Sequence, residues 1–365
     1  MTARARQLHE SLWQGVVYLT GGGSPLLTDL LTVPGASNTV LEVSVPYAEQ
    51  ALHELLGSPP EQAASEQTGR ALAMGAYQRA MGLGAEIGFG LGVTASLSSN
   101  SAKRGQTRAY WAIQTATKSA SYHLILDNAD SRAEQEQQLN KALWQSIEYC
   151  LLDAQQQPNQ ARLRELTAPE SWQPLLHQAP YATCTKHHDG KLILPGSFNP
   201  LHEGHQQMLN VAESVTGLTG AYELTLRNAD KPDLDYLTLQ ERLDGLTSYP
   251  VWLTNLTNFE QKAEQFSGAI FALGTDTLAR IAQPRFYAND KNRMLQAIDN
   301  IIQHNITFLV FGRLSDANFL ELADLALPAS LKSICQAVPS EDYRNDISSS
   351  AIRASQRKNT SPSES

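Results

Sequence analysis

The stretch Leu192-Ile193-Leu194-Pro195-Gly196-Ser197-Phe198-Asn199-Pro200-Leu201-His202-Glu203-Gly204-His205 limits the fold of this chain more than any other segment. An apolar run enters a loop holding Gly196 and Pro200. The loop then opens a segment whose apolar residues (Met208, Leu209, Val211, Ala212, Val215) recur at helical spacing. That order predicts a strand, a tight turn and a helix start. Gly196 lets the backbone approach a ligand closely, and Pro200 stiffens the turn. His202 and His205 fall near one helical face, at the positive end of the helix dipole. Far downstream, Ile347-Ser348-Ser349-Ser350-Ala351-Ile352-Arg353 places three hydroxyls in the first turn of another helix, with Arg353 roughly one turn in. Free amides, hydroxyls and a guanidinium together make an anion cradle.

Length and composition set the frame for these two segments. A chain of 365 residues with 42% hydrophobic content predicts two domains with ordinary cores. The net charge of -9 argues against a nucleic-acid binder, so a phosphate site must be a local pocket. Three cysteines (Cys150, Cys184, Cys335) with no C-x-x-C pair fit a reducing compartment without structural zinc. The opening Met1-Thr2-Ala3-Arg4-Ala5-Arg6 lacks a signal-peptide core, and no run suits a membrane span; a cytoplasmic protein is expected.

Residues 8 to 152 read as one α/β unit. Strands are expected at Gly15–Leu19, Thr39–Val43, Glu86–Val93 and Arg108–Gln114, and helices at Ala48–Leu56, Glu66–Gly82 and Ser131–Leu152. Gln155-Gln156-Gln157-Pro158-Asn159-Gln160 marks a break, and the Pro-, Gln- and His-rich stretch to His188 reads as a linker with one short helix. From Lys191 a βα rhythm resumes, with strands at Tyr222–Leu226, Val251–Leu253, Ala269–Leu273 and Thr307–Phe311. The rhythm predicts a doubly wound, mostly parallel sheet with ligands at the carboxyl ends of its strands. The expected division is 1–153, a linker 154–189, a second domain 190–355 and a disordered tail 356–365.

At the two loops the chain resembles the nucleotidylyltransferase superfamily, marked by G-x-F-x-P-x-H-x-G-H and, downstream, I-S-S-T-x-x-R. Ser350 stands where Thr is usual and keeps the hydroxyl. The Gly-Ser-Phe-Asn-Pro wording is most similar to nicotinamide mononucleotide adenylyltransferases. The resemblance implies a Rossmann-like domain that binds ATP with Mg²⁺ and a phosphorylated small-molecule acceptor. It implies that His202, His205 and Arg353 act on the transferring phosphates, and that Gly196, Ser197, Phe198, Asn199, Ser348 and Ser349 line the nucleotide. Gly274-Thr275-Asp276 is similar to the family's ribose-holding segment, Arg313 to its adenine-side arginine, and Lys231 and Arg242 to its acceptor-side basic residues. Taken singly, His202 with His205 would decorate a helix start, Ser348 to Ser350 would be an N-cap cluster, and Lys231, Arg242 and Arg313 would be solvated surface residues. Trp252, Phe286 and Tyr287 offer rings for a nicotinamide, although core packing is the commoner use. No protein metal cage is expected; His187, His188, His123 and His304 have no ligand-spaced partner.

The N-terminal half resembles the CinA C-terminal domain, active members of which are nicotinamide-nucleotide amidohydrolases. Thr20-Gly21-Gly22, Thr32-Val33-Pro34-Gly35-Ala36-Ser37, Tyr47-Ala48-Glu49-Gln50-Ala51 and Ser65-Glu66-Gln67-Thr68-Gly69-Arg70-Ala71 carry the likeness. The departures fall on the chemistry. Tyr18 replaces the family serine, Leu52 replaces its lysine, and Ala95-Ser96-Leu97-Ser98-Ser99-Asn100 replaces a Gly-rich loop. A serine nucleophile with a basic neighbour is missing, so this half is expected to be inactive as a deamidase and retained for packing, nucleotide binding or homo-oligomer formation. Adenylylation of nicotinamide or nicotinate mononucleotide is the leading expectation for the chain. Transfer to another acceptor (cytidylyl- or phosphopantetheine-type) and a non-catalytic regulatory role remain the alternatives, with no nucleic-acid or membrane partner in any of them.

Overall fold

Apolar runs alternating with amphipathic stretches have two places to bury their apolar faces in this chain. The computed structural model shows both, as two parallel-rich sheets each covered by helices. It describes residues 2–99, 105–177, 179–227, 232–315, 318–345, 347, 349 and 352–353. The chain divides into two compact units, Met1–Gln173 with Asn228–Leu239, and Pro174–Arg227 with Gln240–Ser365.

The first unit contains α1 (Thr2–His9), β1 (Trp13–Thr20), α2 (Ser24–Leu31), α3 (Ala36–Thr39), β2 (Val40–Ser44), α4 (Glu49–Leu56) and α5 (Glu66–Gly82). It continues with β3 (Ile87–Ser96), β4 (Arg108–Thr115), β5 (Lys118–Ile125), α6 (Arg132–Leu151) and β6 (Arg162–Thr167). The strand order is β2-β1-β3-β4-β5-β6, parallel from β2 to β3 and antiparallel from there to β6. One face packs Trp111 and Tyr122 with Trp144 of α6 in the larger core; the other packs Val16 with Leu52 of α4 and Leu72 and Ala76 of α5. Gly92 sets how near α5 lies to β3: a Cβ there would sit 2.2 Å from the Ala73 nitrogen. Ser131 starts α6 with a reciprocal cap to Glu134, which fixes the helix where its polar N-terminal signature places it. Residues 232–239 are held in this unit by Arg70, whose Nε donates to Asp235 Oδ1 and Oδ2 at 3.1 and 3.2 Å. The buried Tyr236 adds an N–H bond to Ser119 Oγ and an O–H bond to the Ala116 carbonyl.

The second unit contains β7 (Ala182–Cys184), β8 (Leu192–Pro195), α7 (Glu203–Thr216), β9 (Gly220–Thr225), the part of α8 (Tyr236–Asp244) from Gln240 on, β10 (Val251–Thr254) and α9 (Phe259–Gln265). Then come β11 (Ile270–Gly274), α10 (Thr275–Ile281), α11 (Lys291–Gln303), β12 (Thr307–Phe311), β13 (Arg313–Ser315), β14 (Asn318–Leu320), α12 (Ala329–Lys332) and β15 (Cys335–Val338). The order is β15-β12-β11-β8-β9-β10-β7, parallel except for β7. The chain winds outward from β8 in one direction through β9 and β10, then returns to lay β11 on the other side of β8. The switch point therefore lies between β8 and β11, where an open α/β sheet forms its ligand crevice.

The stretch 154–189, expected as a linker with one short helix, has that helix as a 3-10 turn at Gln173–Leu176 and two strands besides. β6 extends the first sheet and β7 the second. β5, α10 and β15 are further elements that the sequence pattern did not announce. The expected tail 356–365 lies outside the described residues.

Candidate active site

The carboxyl end of β8 leads straight into the glycine–histidine loop. Phe198 is the buried pivot of that loop, 2% exposed and at φ +43°. Its ring meets His205 edge-on at 5.1 Å and Tyr222 of β9 at 4.9 Å. Gly196 is required beneath it, because a Cβ there would lie 2.7 Å from the Phe198 ring. The Gly196 N–H donates to the Glu223 carbonyl of β9, which ties the loop to the sheet. Phe198 thus shapes the loop from below, under His205.

His202 and His205 stack with ring centres 3.8 Å apart at the start of α7. The His202 N–H donates to His205 Nδ1 at 3.3 Å, so in the neutral ring the hydrogen sits on Nε2, available as a donor. Neither ring nitrogen of His202 has a hydrogen-bond partner among the described residues, although both are buried. Orphaned buried nitrogens are costly, and an anionic ligand would satisfy them. Burial first, then His202 and Arg313, hold the His205 imidazole down to about 3. Burial and Arg313 lower His202 as well. In the free protein both imidazoles therefore favour the neutral form at physiological pH. A bound polyanion would push both upward.

The second segment reaches the same loop. Arg353 Nη1 donates to the Asn199 carbonyl, and Ser349 Oγ donates to the Pro200 carbonyl at 3.2 Å. Arg242 of α8 donates from Nη1 to the Ser197 carbonyl at 3.0 Å. From the ends of β11 and β12 come Asp276 and Arg313, whose carboxylate and guanidinium are 3.7 Å apart. A Cβ at Gly274 would lie 2.6 Å from Asp276 Oδ1, so a larger residue there would displace that carboxylate. Of the residues singled out in sequence, His202, His205, Ser349, Arg353, Arg242, Arg313 and Asp276 are thus gathered by contact or electrostatics around loops at the carboxyl ends of β8, β11, β12 and β15. Ser348 and Lys231 lie outside the described residues, as do Ser350 and Asn100.

Two residues were missed. Tyr343 donates its hydroxyl to the Gly204 carbonyl at 3.0 Å, and Asn345 Nδ2 donates to Gln207 Oε1 at 2.9 Å. Together they pin the chain ahead of Ser349 onto the first turns of α7. Their only sequence signal is a hydroxyl and an amide shortly before Ile347. Of the ring candidates, Trp252 packs on Phe266 and donates to His188 Nδ1, the Tyr287 hydroxyl donates to the Ile281 carbonyl, and Phe286 is exposed, with the Arg285 guanidinium over its ring.

Residues 193–355 match the family described as cytidylyltransferase-like. This segment is a cytidylyltransferase-like nucleotidyltransferase domain. No curated protein matches the chain. Solved structures similar to its N-terminal part include competence/damage-inducible protein CihA from Agrobacterium tumefaciens, 19% identical over 40% of this chain and 93% of that one, with a TM-score of 0.33. CinA superfamily proteins from Escherichia coli (18%, 39% and 81%, 0.29) and Enterobacter cloacae (16%, 40% and 89%, 0.31) are also similar. No cluster of three or more His, Cys, Asp or Glu among the described residues could hold a metal ion, and no described helix is long and apolar enough to cross a membrane.

The lowered His205 pKa of the nucleotidyltransferase domain has a measurable consequence. Between pH 6.5 and about 3 the unfolded chain protonates this imidazole and the folded one does not. The unfolded state then binds more protons, so stability falls as pH is lowered through that window. The unfolding midpoint of His205→Gln should fall less steeply than that of the parent over the same pH range. Parallel curves would show that His205 titrates normally in the fold.

Proposed function

We propose that the nucleotidyltransferase domain transfers the adenylyl group of ATP to the phosphate of nicotinamide or nicotinate mononucleotide. The observation behind this reading is the meeting of Ser349 and Arg353 with the loop that carries His202 and His205. An acceptor phosphate oxygen attacks the α-phosphorus. The new P–O bond forms as the bond from α-phosphorus to the bridging oxygen breaks, and pyrophosphate leaves with the electron pair. The attacking phosphate is already ionised, so the step needs positioning and charge stabilisation rather than a strong base.

His205 donates from Nε2 to the phosphate oxygens as charge builds, and His202 supplies a second imidazole beside it. Arg353, Ser348 and Ser349 hold the β- and γ-phosphates. Asp276 takes the ribose hydroxyls and Arg313 the adenine side; Arg242 meets the acceptor phosphate. Mg²⁺ arrives with the triphosphate, held by phosphate oxygens and water.

The Gly-Ser-Phe-Asn-Pro wording and the CinA-like segments both favour a pyridine mononucleotide as acceptor. In the first unit Tyr18 is 4% exposed with its hydroxyl 3.5 Å from Glu42, and Leu52 is buried in a core, which favours a unit without deamidase activity. The test is pyrophosphate release with ATP or CTP against nicotinamide mononucleotide, nicotinate mononucleotide, 4′-phosphopantetheine and glycerol 3-phosphate. ATP with a pyridine mononucleotide should turn over fastest, with no ammonia released. A preference for CTP or for another acceptor would overturn the assignment, and ATP binding without turnover would point to a regulatory protein.

A further inference from the structure

We propose that the face of β4, β5 and β6 in the first unit, where His123 lies between Tyr110 and Arg162, binds a small phosphate monoester. The strand register sets Tyr110 opposite His123 and His123 opposite Arg162, with Ser121 opposite Arg164 in the next row of that face. Alternate residues of a strand share a face, so Arg108 joins the same surface. The His123 ring lies flat on Tyr110, with centres 4.3 Å apart and planes 9° apart. Its Nε2 is buried and has no hydrogen-bond partner among the described residues. A stacked ring held rigid with an unsatisfied nitrogen suits a ligand better than it suits packing.

The surrounding charge is mainly positive. Burial is the largest influence on His123 and lowers its pKa; Arg108 lowers it further, Glu66 opposes them, and Arg162 adds the smallest, lowering influence. Glu66 is the one carboxylate lining the cavity among the described residues, and it is already engaged. Arg164 donates to it at 2.8 Å, and Arg70 lies 3.6 Å away. The cavity, lined by Glu66, Ser121, Tyr122, His123, Arg162 and Arg164, has a volume of about 260 Å³. That is near the small end for ligand pockets, with room for a phosphorylated small alcohol or sugar and not for a dinucleotide. A phosphate there would accept from His123 Nε2–H and from the Arg162 fork. On the same face the Arg108 guanidinium lies over the Tyr110 ring, 5.8 Å from its centre.

The experiment uses the full chain and histidine-ring NMR, with the His123 signals identified by their loss in His123→Gln. Ribose 5-phosphate should shift those signals saturably, and Arg162→Gln should weaken the binding roughly tenfold, the scale of one charge-assisted contact. Inorganic phosphate, run as a second arm, should bind more weakly. Circular dichroism melts of both variants separate lost binding from lost folding. His123 signals that ignore both ligands, or an Arg162→Gln protein that folds and binds unchanged, would overturn the site. Inorganic phosphate binding as tightly as the ester would overturn the ester as its ligand.

Discussion

His205→Ala is expected to lower nucleotidyl transfer by on the order of 100- to 1,000-fold, the usual scale for removing one donor aimed at developing phosphate charge. The His202 N–H fixes the tautomer of His205, and the Phe198 ring sets its orientation, so the imidazole is held ready to donate from Nε2. An interaction made mainly in the transition state lowers kcat and kcat/KM together; Arg353→Ala should instead raise the KM for the nucleotide. His205→Asn keeps a polar side chain at the site and guards against a loss that reflects only a hole above Phe198. Equal pyrophosphate release from parent and His205→Ala would remove the imidazole from the mechanism.

A large effect on stability is expected at Lys262→Ala. Lys262 Nζ lies 2.7 Å from Glu223 Oε2, and the two side chains are only 8% and 1% exposed. The other Glu223 oxygen accepts from the Thr254 hydroxyl at 2.5 Å. Deleting the ammonium strands a carboxylate in the sheet, which costs about 3–5 kcal/mol. Replacing both partners, as Glu223→Leu with Lys262→Met, should recover most of that loss, because a buried pair often adds little over apolar residues of similar volume. Hydrogen exchange measured on β9 and β10 reads the effect in the second unit alone. Protection unchanged in Lys262→Ala would show that the pair is far more hydrated than its burial implies. The backbone of Glu223 accepts the Gly196 N–H, so this variant should loosen the glycine–histidine loop as well.

The elements most legible in sequence were those in which local chemistry and burial agree. The run Leu192 to Leu194, the loop after it and the apolar spacing of Met208, Leu209 and Ala212 each specify one structure, and the fold places them at the sheet's switch point. Ser131 and Glu134 announced α6 in the same way. β6 was hidden because Arg162, Arg164 and Glu165 occupy an edge strand with most positions exposed, which leaves little apolar alternation to detect. β5 was hidden because Ser119 and Ser121 are buried, one bonded to Gln114 and Tyr236, so polar residues sit where apolar ones are expected. The roles of Tyr343 and Asn345 depend on contacts 138 and 139 positions away in the chain, and no local pattern encodes such a contact. The lowered pKa of His205 in the free protein was not legible for a related reason: charge is visible in sequence, whereas the burial that dominates here is not.

The bond from Arg353 to the Asn199 carbonyl spans 154 positions of the chain. A polypeptide leaving the ribosome therefore displays the bare glycine–histidine loop long before its clasp has been made. Under the function proposed above, a chain cut short before Arg353 keeps the histidines and lacks their clasp.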